Sequence, residues 1–145
     1  MVRVNIIDPI LLLDQHLLAE WNEIQMLFGT IVKHPNISWQ PQKYKLGKGH
    51  INFFKDKVLY LFSRLQRLYK EIVRRDYNVK NPNEIMDFYS PNIDRNFFNN
   101  WTPDTEDFDI IKERIFEKFI MKPDWYTYQK QKIDVERYKI LLFNN

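Results

Sequence analysis

The sequence predicts an all-α fold, and two observations carry that prediction. Apolar residues recur at intervals of three and four in three long stretches, and no stretch shows the strict alternation that a half-buried strand requires. The expected architecture is one compact domain, residues 1–145, built on three main helices. An N-terminal segment is expected to insert near the first helix, with an aromatic segment towards the C-terminus. A chain of 145 residues can bury about two-thirds of its unfolded surface. Its 44 % apolar content argues against disorder.

The first helix is expected to start at Asp8-Pro9 and run to about Val32. On a helical wheel Leu13, Leu17, Trp21, Ile24 and Phe28 share one arc and face the core. His16, Glu20 and Glu23, followed by Leu27, form a second stripe about a quarter-turn away, so these carboxylates flank the apolar seam. Residues 36–49 read as a loop, with Pro35, Pro41 and a Gly47-Lys48-Gly49 turn around them. The second helix starts near His50 and carries Ile51, Phe54, Val58, Leu61, Leu65, Leu68 and Ile72 inward over about six turns. Arg67 and Arg74 lie on its far side, with Lys57, Arg64 and Arg75 at the margins. Residues 78–101, rich in Asn and Pro, are expected to be irregular, with a short turn near Glu84. Thr102-Pro103-Asp104 predicts a third helix, with a capping hydroxyl, proline at the first helical position and acids in the first turn. That helix buries Phe108, Ile111, Ile115 and Phe119 and ends before Pro123. Trp125-Tyr126-Thr127-Tyr128 and a mixed-charge tail ending Ile140-Leu141-Leu142-Phe143 complete the chain.

Composition narrows the function. No apolar run approaches the roughly 20 residues that cross a bilayer, and no basic leader precedes an apolar stretch of secretory type. Cysteine is absent, which excludes disulfides and thiolate metal sites and suits a reducing compartment. The three histidines are scattered without paired spacing, which argues against zinc. The net charge of +3 conceals segregation: residues 33–80 hold twelve Lys/Arg against three Asp/Glu, while residues 84–109 hold seven acids and only Arg95. Such a distribution fits a polyanion bound on one face, or equally a solvated helix face.

The N-terminus offers chemistry that a search for side-chain motifs overlooks. An α-amine titrates near about 7.7–8.0 and lysine near about 10.4, so at neutral pH roughly a tenth of such amines are free base, about 300-fold more than for an exposed lysine. A free amine can attack a sugar C1′ and form a Schiff base.

Val2 directly after the start methionine, Arg3, Asp14-Gln15-His16-Leu17, Ala19-Glu20, Glu23, Phe28-Gly29 and Lys33-His34 stand at the spacings of one family. Further matches are Leu46-Gly47, Gly49-His50, Phe53-Phe54, Asp56-Lys57, Arg114, Glu117-Lys118, Pro123, Trp125-Tyr126 and Tyr128. In these residues the chain closely resembles the pyrimidine-dimer DNA glycosylases with AP-lyase activity, the phage endonuclease V family. The resemblance implies that the α-amine of Val2, exposed by methionine removal, is the nucleophile. It implies that Glu23 stabilises the developing cation and shuttles protons during β-elimination. A carboxylate beside Ile24 and Leu27 should have its pKa raised by desolvation, which suits that work.

The resemblance further implies DNA contacts from Arg3, Gln15 and His16 near the reacting sugar. It implies backbone contacts from Arg114 and Lys118 on the third helix, and an aromatic segment of Trp125, Tyr126 and Tyr128 beside the damaged strand. Taken alone, His16 reads equally as a packed helix residue, Arg114 and Lys118 as a solvated pair, and the aromatic segment as packing against the first helix. Two positions depart from the family pattern. Asn22 and Met26 stand where the family carries phosphate-gripping arginines, and Lys43, Lys45, Lys48, Arg64 and Arg67 are candidates to compensate. Residue 2 is valine where threonine is usual.

The function expected is a monomeric DNA repair enzyme without metal or cofactor, acting on double-stranded DNA that carries ultraviolet-induced pyrimidine dimers or abasic sites. A cytoplasmic location with the genome is expected, and a phage or viral origin is open. Two alternatives stand beside it: an AP lyase or glycosylase of altered lesion preference, and a non-catalytic DNA-binding protein that keeps the fold.

Overall fold

The computed structural model describes residues 3–145, and among these it contains six α-helices and no β-strand. They are α1 (Asp14–Lys33), α2 (His50–Phe54), α3 (Val58–Arg74), α4 (Pro82–Tyr89), α5 (Thr105–Met121) and α6 (Val135–Phe143). The three longest are the three main helices expected, and α1 and α3 pack against each other at the centre.

Helix α1 begins at Asp14, six residues later than expected. Asp8-Pro9 does act as a start signal, since the Asp8 carboxylate accepts the Ile10 amide at 3.1 Å, but it starts only a single 3-10 turn, Pro9–Leu11. Two features stop that turn from continuing. Leu11, Leu12 and Leu13 are all buried, and consecutive helical positions lie about 100° apart, so one helix face could not bury all three. The guanidinium of Arg75 also takes the carbonyls of Leu12 at 2.8 Å and of Pro9 and Ile10 at 3.3 Å, which a longer helix would use internally. The segment ahead of α1 is therefore part of the core. Val4, Ile6 and Ile7 are at most 2 % exposed, and at about 1.5–3 kcal/mol per buried side chain they anchor the chain entry firmly.

The expected second helix is two helices. Lys55, Asp56 and Lys57 interrupt it, and side chains occupy the carbonyls freed at the break. Gln40 Nε2 donates to Asn52 O and Phe53 O, Lys57 Nζ donates to Phe53 O at 2.7 Å, and Asn99 Nδ2 donates to Asp56 O at 2.9 Å. Beyond the break α3 keeps the expected face, with Val58, Leu61, Leu65, Leu68 and Ile72 fully buried. The margin positions differ from expectation, because Arg64 and Arg75 lie in the core.

Part of the segment expected to be irregular is helical. Asn81 caps α4 by accepting the Asn83 amide, and Pro82 stands in the first turn. Helix α5 is capped by Asp104 and not by Thr102. The Asp104 carboxylate accepts the Asp107 amide at 3.0 Å and the Asp107 carboxylate accepts the Asp104 amide at 2.9 Å, a reciprocal box that an isolated hydroxyl cannot make. The mixed-charge tail forms α6, capped by Asp134 and packed on α5. Its Tyr138 is fully buried, with its hydroxyl donating to Leu11 O at 2.8 Å, so the C-terminal helix closes over the N-terminal segment.

Candidate active site

The first described residues run between α1 and α2, where the Arg3 amide and both polar backbone groups of Val4 are held by side chains. The Arg3 amide donates to Glu23 Oε2 at 3.0 Å, and the Val4 amide donates to His50 Nε2 at 2.8 Å. The Tyr44 hydroxyl donates to the Val4 carbonyl at 2.9 Å, and Arg3 Nε donates to Asn5 Oδ1 at 2.9 Å. Beyond this the chain folds sharply, the Ile7 amide reaching back to the Asn5 carbonyl across Ile6, whose φ is +50°. A β-branched residue in the left-handed region is strained and persists only where its surroundings over-determine it. Here Ile6 is 2 % exposed and Arg64 Nη1 holds the Ile7 carbonyl.

Arg64 is itself fixed by Glu20. Its Nε meets Glu20 Oε2 at 2.7 Å and its Nη2 meets Oε1 at 3.0 Å, with both side chains fully buried. The bidentate pair satisfies two charges inside the core and directs the remaining guanidinium nitrogen at the strained turn. Glu20 thus does not flank the apolar seam as expected but lies within it. Arg64, offered from sequence as a compensating DNA contact, is unavailable to DNA because it is wholly buried and paired.

Glu23 stands half-buried on α1, one turn from Glu20. Burial raises its pKa above the ordinary carboxylate value, opposed by the Arg3 amide hydrogen bond and the Arg3 charge. That is the direction expected from its neighbours Ile24 and Leu27, both fully buried. His16, one turn before Glu20, is 6 % exposed, and its ring lies 4.8 Å from that of Tyr126. Burial first, then the charges of Arg3 and Lys118, pull its pKa down to about 3, so it is neutral at physiological pH. Lys118 lines a pocket with Tyr126 and Trp125. Tyr126 is buried against Phe119, and burial raises its hydroxyl pKa against the opposing charge of Arg3.

Arg3 and Glu23 thus meet where the chain enters, and two turns earlier on α1 His16 meets Tyr126, which shares a pocket with Lys118. The other sequence candidates lie elsewhere or are engaged. Arg114 sits one turn before Lys118 and pairs with Glu117 at 3.7 Å. Trp125 is 61 % exposed beside Tyr126, while Lys48 is exposed in the loop ahead of α2. Gln15 exchanges hydrogen bonds with Thr127, its amide donating to Thr127 Oγ1 at 3.2 Å and its carbonyl oxygen accepting the Thr127 amide at 2.9 Å. Tyr128 donates to Ile10 O at 2.6 Å and carries the Arg75 guanidinium over its ring. Both therefore tie the aromatic segment to the start of α1, and Asp14 completes the tie by accepting from Thr127 and from the amides of Gln129 and Lys130. Val2, the expected nucleophile, lies outside the described residues. Asn22 and Met26 are both exposed on α1 beside Glu23, and they line an open groove of about 520 Å³ with Gly29, Thr30, Lys33 and Tyr89.

His50 and Tyr44 were not singled out from sequence. Gly49-His50 is a visible motif, but its role emerges only when the loop folds. Gly49 adopts φ +95°, and a β-carbon there would stand 2.9 Å from the Trp39 ring, so glycine is required to bring His50 to the start of α2. The His50 ring is 2 % exposed, and Nδ1 donates to the Lys45 carbonyl at 2.7 Å. Since a carbonyl only accepts, Nε2 keeps its lone pair for the Val4 amide. Burial lowers the His50 pKa, and the Lys45 carbonyl opposes this by favouring the protonated ring.

The local charge excess of residues 33–80 is partly internal. Arg64 pairs with Glu20, Arg75 with Asp14 and Glu71, and Lys43 with Asp104 and Glu106 across the surface. Among the described residues no helix is long and apolar enough to cross a membrane, and no group of three or more His, Asp or Glu is arranged to hold a metal ion.

In a comparison with known families, the model described as pyrimidine dimer DNA glycosylase matches residues 1–85. That stretch contains the entering segment, all of α1 to α3 and every residue that grips the first amides. It ends within α4, so α5, the aromatic segment and α6 lie beyond it. Because the match spans more than half of the chain, the protein belongs to the pyrimidine dimer DNA glycosylase family, a family of DNA repair enzymes whose substrate is DNA.

Proposed function

We propose that this chain is a single-domain, monomeric glycosylase with associated AP lyase, in which the α-amine of Val2 is the nucleophile and Glu23 its acid–base partner. The observation that carries this reading is the 3.0 Å hydrogen bond from the Arg3 amide to Glu23, because the peptide that Glu23 grips begins at Val2. After removal of Met1 the amine attacks C1′ of the 5′ nucleotide of a pyrimidine dimer. The C1′–N bond breaks, and the base takes up the proton the amine loses while staying joined to its 3′ neighbour through the dimer. The C1′–O4′ bond then opens to leave a protonated Schiff base between the amine and the sugar. Glu23, as carboxylate, stabilises that cation and takes the C2′ proton. The resulting electron pair expels the 3′ phosphate, which nicks the strand, and water hydrolyses the imine to free the amine. A carboxyl pKa raised by burial makes Glu23 a stronger base for the C2′ proton than an exposed carboxylate.

Arg3 and Lys118 supply positive charge for the phosphates flanking the lesion, and exposed Trp125 offers a face on which a base can stack. A lesion that already weakens stacking lowers the cost of opening the duplex, which otherwise amounts to a few kcal/mol.

The test is borohydride trapping on an abasic-site duplex, with the N-terminus defined by intact mass. A covalent complex formed by protein beginning at Val2, and lost on Glu23→Gln or on acetylation of the terminus, supports the proposal. Absence of the complex from correctly processed protein would sink the lyase assignment and leave a DNA-binding protein that keeps the fold.

A second reading has its own observation. Asn22 and Met26 present a neutral, partly apolar surface beside Glu23. This favours a preference for less tightly gripped lesions, such as an abasic site, over a bulky dimer. Comparing cleavage of dimer, oxidised-base and abasic duplexes separates the two.

A further inference from the structure

We propose that His50 is a positioning residue for this reaction: neutral and buried, it holds the entering backbone in register so that the terminal amine meets Glu23. The inference rests on the N-terminal amine being the nucleophile. Two consecutive amides are held by different elements, Arg3 by Glu23 on α1 and Val4 by His50 on α2, so the segment is gripped between the two helices. Tyr44 takes the carbonyl of the same residue whose amide His50 takes, leaving Val4 with both polar groups occupied. The grip is itself rigid. The imidazole is locked by the Lys45 carbonyl and packed edge-on against Tyr44 and Phe54, with ring centres 5.5 Å and 5.1 Å away.

The chemistry explains why a second holder is needed. Glu23 must change its protonation state and partners during turnover, so its bond to the Arg3 amide cannot alone fix the chain. His50 has no proton to exchange with substrate from its buried place, and its acceptor stays directed at Val4 throughout. A misplacement of about 1 Å at a reacting group costs on the order of 100-fold in rate.

The experiment compares His50→Phe, which fills the same space without an acceptor, with His50→Gln, whose Oε1 can accept the Val4 amide. Single-turnover trapping rates and affinities are measured for one abasic duplex, well below each variant's Tm. H50F is expected to lose about 30- to 100-fold in trapping rate with affinity within about threefold of wild type, and H50Q to recover to within about fivefold. A merely structural role would lower Tm in both variants and leave the rate of the folded protein unmoved. Equal rates in H50F and wild type, or equal losses in H50F and H50Q, would overturn the role of His50 alone. A wild-type protein that forms no trapped complex overturns the nucleophile assignment and this inference with it. Should H50F fail to fold, Tyr44→Phe removes only the hydroxyl on the same peptide: a loss of about fivefold or more in rate at unchanged affinity supports the grip, and an unchanged rate refutes it.

Discussion

Replacing Arg64 with methionine tests whether the buried pair holds the chain entry. In the native protein Arg64 makes a bidentate contact with Glu20 at 2.7 and 3.0 Å and donates a third bond to the Ile7 carbonyl, with no exposure of either charged side chain. Methionine fills most of the volume but leaves the Glu20 charge without a partner, which typically costs about 3–5 kcal/mol. The orphaned Ile7 carbonyl adds about 1 kcal/mol. Against a total stability of about 5–15 kcal/mol, this is a large loss. For a chain of this size the combined loss of about 4–6 kcal/mol corresponds to a fall in Tm of roughly 13–20 °C. Urea titration at pH 7.5, followed by circular dichroism, measures it directly. The double variant Glu20→Met/Arg64→Met removes both charges and should recover most of the loss, to within about 2 kcal/mol of wild type. An Arg64→Met cost below about 1 kcal/mol, or a double variant no more stable than the single one, would refute the view that a desolvated charge pair dominates this region.

Three further outcomes are expected. Below the loss that protonation of the α-amine causes, trapping activity should show a second acid limb at a pH above the ordinary carboxylate value of 4.5, because burial raises the Glu23 pKa and the base form disappears as pH falls through it; a second limb at or below 4.5 in the single-turnover pH profile would contradict this. Stability should decline as pH falls from 6.5 towards about 3, since the His16 pKa drops from 6.5 in the unfolded chain to about 3 in the fold and the folded state binds fewer protons throughout that window; each such group contributes a slope of about 1.4 kcal/mol per pH unit, His50 acts in the same direction, and His16→Phe should flatten the dependence seen in urea titrations at pH 7, 6 and 5. Restoring charge with Asn22→Arg and Met26→Arg should steepen the salt dependence of DNA affinity by about 0.9 per added phosphate contact, and an unchanged slope would show that DNA does not run along this part of α1.

The sequence by itself determined the three long helices and the apolar face each turns inward, because a period of 3.6 residues is a local property that burial of one face enforces. It also marked Glu23 as a carboxylate with a raised pKa, since the apolar neighbours that desolvate it are adjacent in the chain. What only the tertiary structure decided are partnerships between distant residues. Arg64 and Arg75 fall at a helix margin on the wheel, yet both are buried, because Glu20 and Asp14 wait for them across the core. The late start of α1 follows from Arg75 claiming carbonyls more than sixty residues away, and the break before α3 from Gln40 and Asn99 claiming carbonyls 12 and 43 residues away. His50 belongs with these. Nothing in its local sequence tells an acceptor for the Val4 amide from a packed imidazole, since hydrogen-bond satisfaction depends on which backbone the completed fold lays beside the ring.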